Sequence, residues 1–290
     1  MKGLKIVVLA KQVPDTRNVG KDAMKADGTV NRAALPAIFN PEDLNALEQA
    51  LRLKDRFEGS TVEILTMGPG RAAEIIREAM YRGADGGFLL SDRAFAGSDT
   101  LATSYAISCA LKKLGYDLII CGRQAIDGDT AQVGPQVAEK LGLPQVTYTE
   151  EILKAEAGKL TIRRRLERGV ESVECPVPCV ITVNGSAAAC RPRNAHRVMK
   201  YKNAKTPSEA QESNEDYLTM TSTRPYLKIH EWTVQNIETD PCQLGLFGSP
   251  TKVKNIENVV FQAKEAKVLK PNDEDIDAMM KELIVNHTIG

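Results

Sequence analysis

An α/β fold, a twisted and mostly parallel sheet flanked by helices, is the class that the sequence predicts. Three observations lead there. Short apolar runs alternate with helical patterns through the first half of the chain, as parallel strands joined by crossover helices require. A polar, glycine-containing loop follows one of those runs directly and opens into a helix, the arrangement of ligand loops at strand carboxyl ends. From about Glu150 the pattern changes, and extended segments follow one another with no helix between them.

The runs span residues 4–10, 61–67, 87–91 and 117–122, with a further strand expected over 145–149. Between the first two, Asn40-Pro41-Glu42-Asp43 reads as a helix start, with Asn as cap, Pro at the first helical position and acids facing the positive end of the dipole. Leu44, Leu47 and Leu51 then fall on one face. A second helix is expected over 71–82, apolar at Ile75, Ile76, Ala79 and Met80 and stopped by Gly83. A third occupies 98–114. For the fourth, Pro135 is tolerated only in a first turn, so the helix begins near Gly134 and runs through Val137 to Leu141.

Residues 159–167 and 177–183 read as a β-hairpin extension of the sheet. Residues 1–190 are expected to form the α/β domain, the extension over 150–184 included. Residues 191–290 form a docking loop and a C-terminal arm, because residues 200–216 are polar and irregular, with few apolar runs before Val259. Such an arm is either disordered or ordered by wrapping a partner. Near its end, residues 273–285 carry acids first and then Ile276, Met279, Met280, Leu283 and Ile284 in helical phase, as a docking helix would.

In 290 residues, 38 basic side chains balance 38 acidic ones, so no global field favours nucleic acid or an anionic membrane. Arg163-Arg164-Arg165 reads as a solvated strand face. No stretch reaches the roughly 18 apolar residues of a membrane span, and the opening run is short for a signal peptide. A cytoplasmic protein is expected, its six cysteines free thiols in a reducing compartment. Cys175 and Cys179 lack a second ligand pair at metal-site spacing.

No Gly-x-Gly-x-x-Gly and no Walker A sequence occurs. Met67-Gly68-Pro69-Gly70 follows a strand and opens a helix, but small residues there also suit a plain tight turn. More informative is Gly122-Arg123-Gln124-Ala125-Ile126-Asp127-Gly128-Asp129-Thr130-Ala131-Gln132-Val133, which joins glycines and amide and hydroxyl donors to a helix start. Its acids would repel phosphate unless they turn away or meet a ribose hydroxyl; an Asx-turn loop is the plainer reading. His196, His230 and His287 lie away from the strand ends and read as surface or interface residues. No catalytic residue is assigned, and the chemistry is left to a bound cofactor.

Val8-Leu9-Ala10-Lys11-Gln12-Val13-Pro14-Asp15, Asn40-Pro41-Glu42-Asp43-Leu44-Asn45-Ala46-Leu47-Glu48 and the loop from Gly122 together resemble the beta subunit of electron transfer flavoproteins. So does the stretch from Ile162-Arg163-Arg164 through Glu167, Gly169, Glu171 and Val173 to Pro178-Cys179-Val180-Ile181-Thr182, where Arg168 departs from the family pattern. The resemblance covers most of the chain. It implies a Rossmann-like adenine nucleotide-binding fold with Leu9, Ala10, Asn40, Pro41, Glu42, Asp43, Met67, Gly68 and Gly122 to Val133 around the nucleotide. It also implies a heterodimer with an FAD-carrying alpha subunit, which the arm wraps.

Asp127 to Pro135 and Gly245-Leu246-Phe247-Gly248-Ser249-Pro250-Thr251 look like the electron-bifurcating branch of that family. That branch implies FAD rather than structural AMP in this subunit. It further implies hydride from NADH, and electrons divided between ferredoxin or flavodoxin and an acyl-CoA dehydrogenase. Pro192-Arg193-Asn194-Ala195-His196-Arg197-Val198-Met199-Lys200 matches the ends of the family's dehydrogenase-docking loop but is shorter and lacks its aliphatic anchor. Two competing readings are a non-redox nucleotide-binding regulatory module resembling universal stress proteins and an adenylating ligase. The ligase needs a Ser- and Gly-rich loop where Lys11-Gln12-Val13-Pro14 stands.

Overall fold

The structure is a computed structural model that describes residues 3–15, 36–156, 158–251, 268–286 and 288–289. The chain divides into two units, Met1–Asn255 and Ile256–Gly290. In the first, β1 (Lys5–Leu9) leads to a two-stranded ribbon, β2 (Gln12–Pro14) with β3 (Ala37–Phe39). There follow α1 (Pro41–Arg56), β4 (Thr61–Met67), α2 (Ala73–Arg82), β5 (Gly86–Leu90), α3 (Thr100–Leu114), β6 (Leu118–Gly122) and α4 (Val133–Leu141). Next come β7 (Gln145–Glu156), β8 (Lys159–Leu166), β9 (Gly169–Pro176) and β10 (Cys179–Val183). Helices α5 (Ala195–Tyr201), α6 (Pro207–Glu212) and α7 (Tyr217–Thr223) and the strand β11 (His230–Trp232) complete it.

Nine strands make the main sheet in the order β11-β5-β4-β1-β6-β10-β7-β8-β9, parallel from β11 to β7 and antiparallel beyond. The alternation of side chains along β1 divides the core in two. Ile6 and Val8 face α1 and α2 through Leu47, Leu51, Ile75, Ile76 and Met80. Val7 and Leu9 face α3 and α4 through Ile107, Leu111, Val137 and Ala138. Two helices stop at a glycine: Gly83 and Gly142 take positive φ after α2 and α4, a conformation open to glycine at little cost.

The expected α/β architecture is present, with differences of detail. The extension is three-stranded rather than one hairpin, because β7 runs on to Glu156 and β9 is a strand of its own. On β8, Arg163, Arg164 and Arg165 pair with Glu151, Glu171 and Glu150, respectively. Within residues 200–216, which read as irregular, residues 207–212 form a helix. A capping box of Thr206 with Glu209 starts α6, and the Arg77 guanidinium donates both to Glu209 at 2.9 Å and to the Ala204 carbonyl. Tyr201, Ala204, Leu227 and Ile229 join the first core cluster, so local capping and ion pairing order a stretch that composition alone reads as loose. His230 stacks on Phe88, 4.5 Å between ring centroids, within the edge strand β11. Val259 and His287 lie outside the described residues.

The second unit contains α8 (Asp273–Val285), with Asn272 capping and Asp273, Glu274 and Asp275 in its first turn. None of its residues is buried. Among the described residues, no helix is long and apolar enough to cross a membrane.

Candidate functional site

Strand order reverses at β1, whose neighbours β4 and β6 lead to helices on opposite faces, and a crevice must open outside the carboxyl ends of such strands. A cleft of about 410 Å³ lies there. Leu9, Ala10 and Lys11 line it from the end of β1, Leu65 and Met67 from β4, and Cys121 and Gly122 from β6. The loop after Gly122 and the first turn of α4 form one wall. Opposite stand Phe95, Gly97, Ser98, Asp99, Thr100 and Thr103 from the β5–α3 connection.

The first turn of α1 holds this place together. Asn40 sits at the cap position, but its side chain does not cap α1. Its Nδ2 instead donates to the Gln124 carbonyl at 2.9 Å, and its Oδ1 accepts from the Ile126 N–H at 3.2 Å. Glu42 accepts from the Arg123 guanidinium at 3.0 Å and from the Gln124 N–H at 3.0 Å. Asp43 bridges two strand ends, its Oδ2 accepting from the Lys11 N–H and its Oδ1 from the Gly122 N–H, each at 2.9 Å. Three polar side chains within four residues thus satisfy backbone groups that leave the sheet with no strand partner.

Asp43 is buried on the cleft floor. Burial is the largest influence and, with the nearby Glu42 charge, pushes its carboxyl up to about 7 against the hydrogen bonds from Lys11, Asn40 and Gly122. Burial likewise raises the Cys121 thiol, and the Asp43 charge adds to it. Because the folded pKa of Asp43 lies above its unfolded value of about 3.9, the folded state retains a proton that the unfolded chain has lost. Its contribution to stability is complete below about pH 4 and is lost as pH rises through about 7. Urea midpoints taken from pH 5 to 8 are expected to fall more steeply for the wild type than for Asp43→Asn, by an amount set by roughly 1.4 kcal/mol per unit of displacement. Parallel profiles would place the ionised carboxylate on the cleft floor throughout.

The loop after β6 first continues the sheet, its Arg123 N–H donating to the Val183 carbonyl of β10. It then turns at Ala125, whose carbonyl accepts from Gly128 and Asp129. Asp129 and Ala131 have φ of 50° and 53°, left-handed values that cost a non-glycine residue roughly 1–2 kcal/mol and that gather at ligand clamps. The two acids that would repel an anion are engaged elsewhere: Asp127 is paired with the Lys11 ammonium at 2.7 Å, and Asp129 accepts from the Gln124 amide. A Cβ built at Gly128 meets nothing within 4 Å, so its backbone borders open cleft. Gly134, by contrast, packs the start of α4 on Cys121 and Thr182, each 2.8 Å from a built Cβ.

Of the residues expected around a ligand, Leu9, Ala10, Asp43, Met67, Gly122, Arg123, Gln124, Ala125, Gly128, Asp129, Thr130, Ala131, Gln132 and Val133 line the cleft. Asn40 and Glu42 brace it from outside its lining, Pro41 opens α1, and Ile126 and Asp127 are not in its lining, Asp127 being paired with the lining residue Lys11. Gly68 donates to the Leu90 carbonyl, extending the β4–β5 ladder. The wall from Phe95 to Thr103 is absent from the sequence reading. Its signal was Gly97-Ser98-Asp99-Thr100, a flexible residue and a capping acid just after a strand; Asp99 accepts from the Leu101 and Ala102 N–H groups at the start of α3.

A family model for the electron transfer flavoprotein domain matches residues 27–211. The electron transfer flavoprotein subunit beta of Clostridium acetobutylicum is 42% identical over 286 residues, covering 99% of this chain and 100% of the relative. The acryloyl-CoA reductase electron transfer subunit gamma of Anaerotignum propionicum is 54% identical over 182 residues, 62% of this chain and 67% of its own. The caffeyl-CoA reductase-Etf complex subunit CarD of Acetobacterium woodii is 50% identical over 180 residues, 62% of this chain and 68% of its own.

Proposed function

The chain belongs to the electron transfer flavoprotein beta-subunit family, and on that premise we propose that its cleft holds FAD, reduced by NADH. The electrons then divide between ferredoxin or flavodoxin and an acyl-CoA dehydrogenase reached through the FAD of an alpha subunit. The observation that carries this reading is the open approach at Gly128, in the wall of a cleft that the first turns of α3 and α4 also line, with Asp127 paired to Lys11. Phosphates could pass the open side of Gly128 to reach the N–H groups at the start of α4, with Asp127 paired to the Lys11 ammonium and Asp129 hydrogen-bonded to the Gln124 amide.

The cleft also fits the rest of such a group. Its volume falls within the roughly 300–1,000 Å³ of small-molecule sites, and Leu65, Met67, Phe95 and Ile107 offer apolar surface for a ring system. A flavin, when bound, supplies hydride acceptance and single-electron transfer. The chain's own residues would bind and orient it: the start of α4 would offer N–H groups to the phosphates past the open side of Gly128, and Asn40 and Glu42 hold the loop in place. The names of the acryloyl-CoA and caffeyl-CoA reductase relatives support an acyl-CoA partner. For the alpha subunit, α8 supplies an unburied helix with Ile276, Met280 and Ile284 in phase, suited to packing on a partner.

Anaerobic titration of the heterodimer with NADH is expected to bleach flavin directly, and acid release to yield about two FAD per heterodimer. One FAD with one AMP, and no direct reduction, would overturn the FAD assignment and leave the family membership as it stands.

A further inference from the structure

Lys11 is held by its backbone on two sides. Its N–H donates to Asp43 Oδ2 at 2.9 Å and its carbonyl accepts from the Asn40 N–H at 3.0 Å, which pins the residue between the end of β1 and the start of α1. The side chain is tied differently. Its ammonium donates to both carboxylate oxygens of Asp127, at 2.7 and 2.8 Å, across 116 positions of sequence. Among the described residues neither charged group has a second hydrogen-bond partner. The Lys11 side chain is 48% exposed, whereas Asp127 is 18% exposed and stands between the lining residues Ala125 and Gly128 without lining the cleft itself.

The charged residues in the cleft lining are Lys11, Asp43, Asp99, Arg123 and Asp129, three acids against two cations. Arg123 is committed: its guanidinium is held by Glu42, which the Gln124 N–H also fixes, and lies over the Tyr148 ring. Lys11 is the cation that can be redirected. An exposed ion pair adds little to stability, and a four-carbon stem lets an ammonium swing about a backbone that stays in place. A phosphate monoester or a pyrophosphate carries about two negative charges against the single charge of a carboxylate, so at equal distance it draws the ammonium more strongly. We propose that Lys11 is an anion-binding residue of the cleft: its ammonium leaves Asp127 for the ligand when the cleft fills, and Asp127, as the competing acceptor, sets how tightly the anion is held. The inference rests on the reading of the cleft as a nucleotide site and requires no particular orientation of the nucleotide within it.

The test uses the full-length chain with its alpha subunit, the latter's flavin retained, and measures added FAD, AMP and uncharged adenosine separately by calorimetry. Lys11→Gln is expected to weaken whichever of FAD and AMP the wild type binds by about tenfold or more, and to leave adenosine within about twofold. Asp127→Asn is expected to act in the opposite direction, tightening the same anionic ligand about threefold, because the ammonium no longer has a carboxylate to leave. Added KCl is expected to lower the wild-type affinity for that ligand more steeply than the affinity of Lys11→Gln. Weaker binding in both variants would make the pair a brace for the loop and overturn the proposal, as would a loss for adenosine equal to that for the anion, or no change in either variant. Each of those results leaves the nucleotide reading in place, whereas wild-type protein that binds none of the three ligands would overturn that reading and the proposal together.

Discussion

Gly122→Ala is expected to lower stability by roughly 3 kcal/mol, the upper end for overpacking, and to abolish retention of bound nucleotide. At Gly122 a Cβ would lie 2.4 Å from Asp43 Oδ1, 2.7 Å from the Glu42 carbonyl carbon and 2.8 Å from the Asp43 N. Two of those atoms are backbone within the first turn of α1, and the third is a carboxylate already fixed by two N–H donors. Relief requires α1 to back away from β6, which breaks the Asp43 bridge and frees the loop that follows. Denaturant midpoint and nucleotide content after gel filtration measure the two effects. A variant of wild-type stability that keeps its ligand would show that the contact between α1 and β6 can yield to a methyl group.

Asn40→Ala comes next in magnitude. It removes a donor to the Gln124 carbonyl and an acceptor for the Ile126 N–H from a side chain with no solvent exposure. Each buried group left unpaired costs about 1–3 kcal/mol, and the lower end applies because the loop can turn partly to water. The larger consequence is local. Hydrogen exchange is expected to quicken at residues 124–132 while β1 and β4 stay protected, and nucleotide affinity to fall by about one to two orders of magnitude. Uniform loss of protection across the sheet would make Asn40 a determinant of the whole fold rather than a brace for one loop.

Periodicity and caps made most of the α/β half legible in advance: Pro135 set the start of α4 to within a residue, and Gly83 marked the end of α2. What local pattern does not carry is the partner of a side chain. Asn40 looks like a cap because caps are local, yet its side chain reaches the Gln124 carbonyl and the Ile126 N–H, more than eighty positions away. The β5–α3 wall read merely as a helix start for the same reason, since Ser249 and Thr251 come back to its Asp99 from 150 or more positions along the chain. β11 escaped because three residues are too few to show alternation. The capping box and ion pair of α6 lie in a segment whose composition resembles disorder.

Both margins of the nine-stranded sheet have a bearing on assembly. At one margin β11 offers only three residues. At the other β9 is largely exposed but carries Glu171 and Glu174 and ends at Pro176, features that discourage a foreign strand from adding to an edge. Strand addition, the commonest way for an open sheet to recruit an extended peptide, is thus poorly served at either end. A protein that joins this chain must read its side chains rather than its backbone, and specificity of pairing then lies in surface sequence, where it can diverge between close relatives without any change to the sheet.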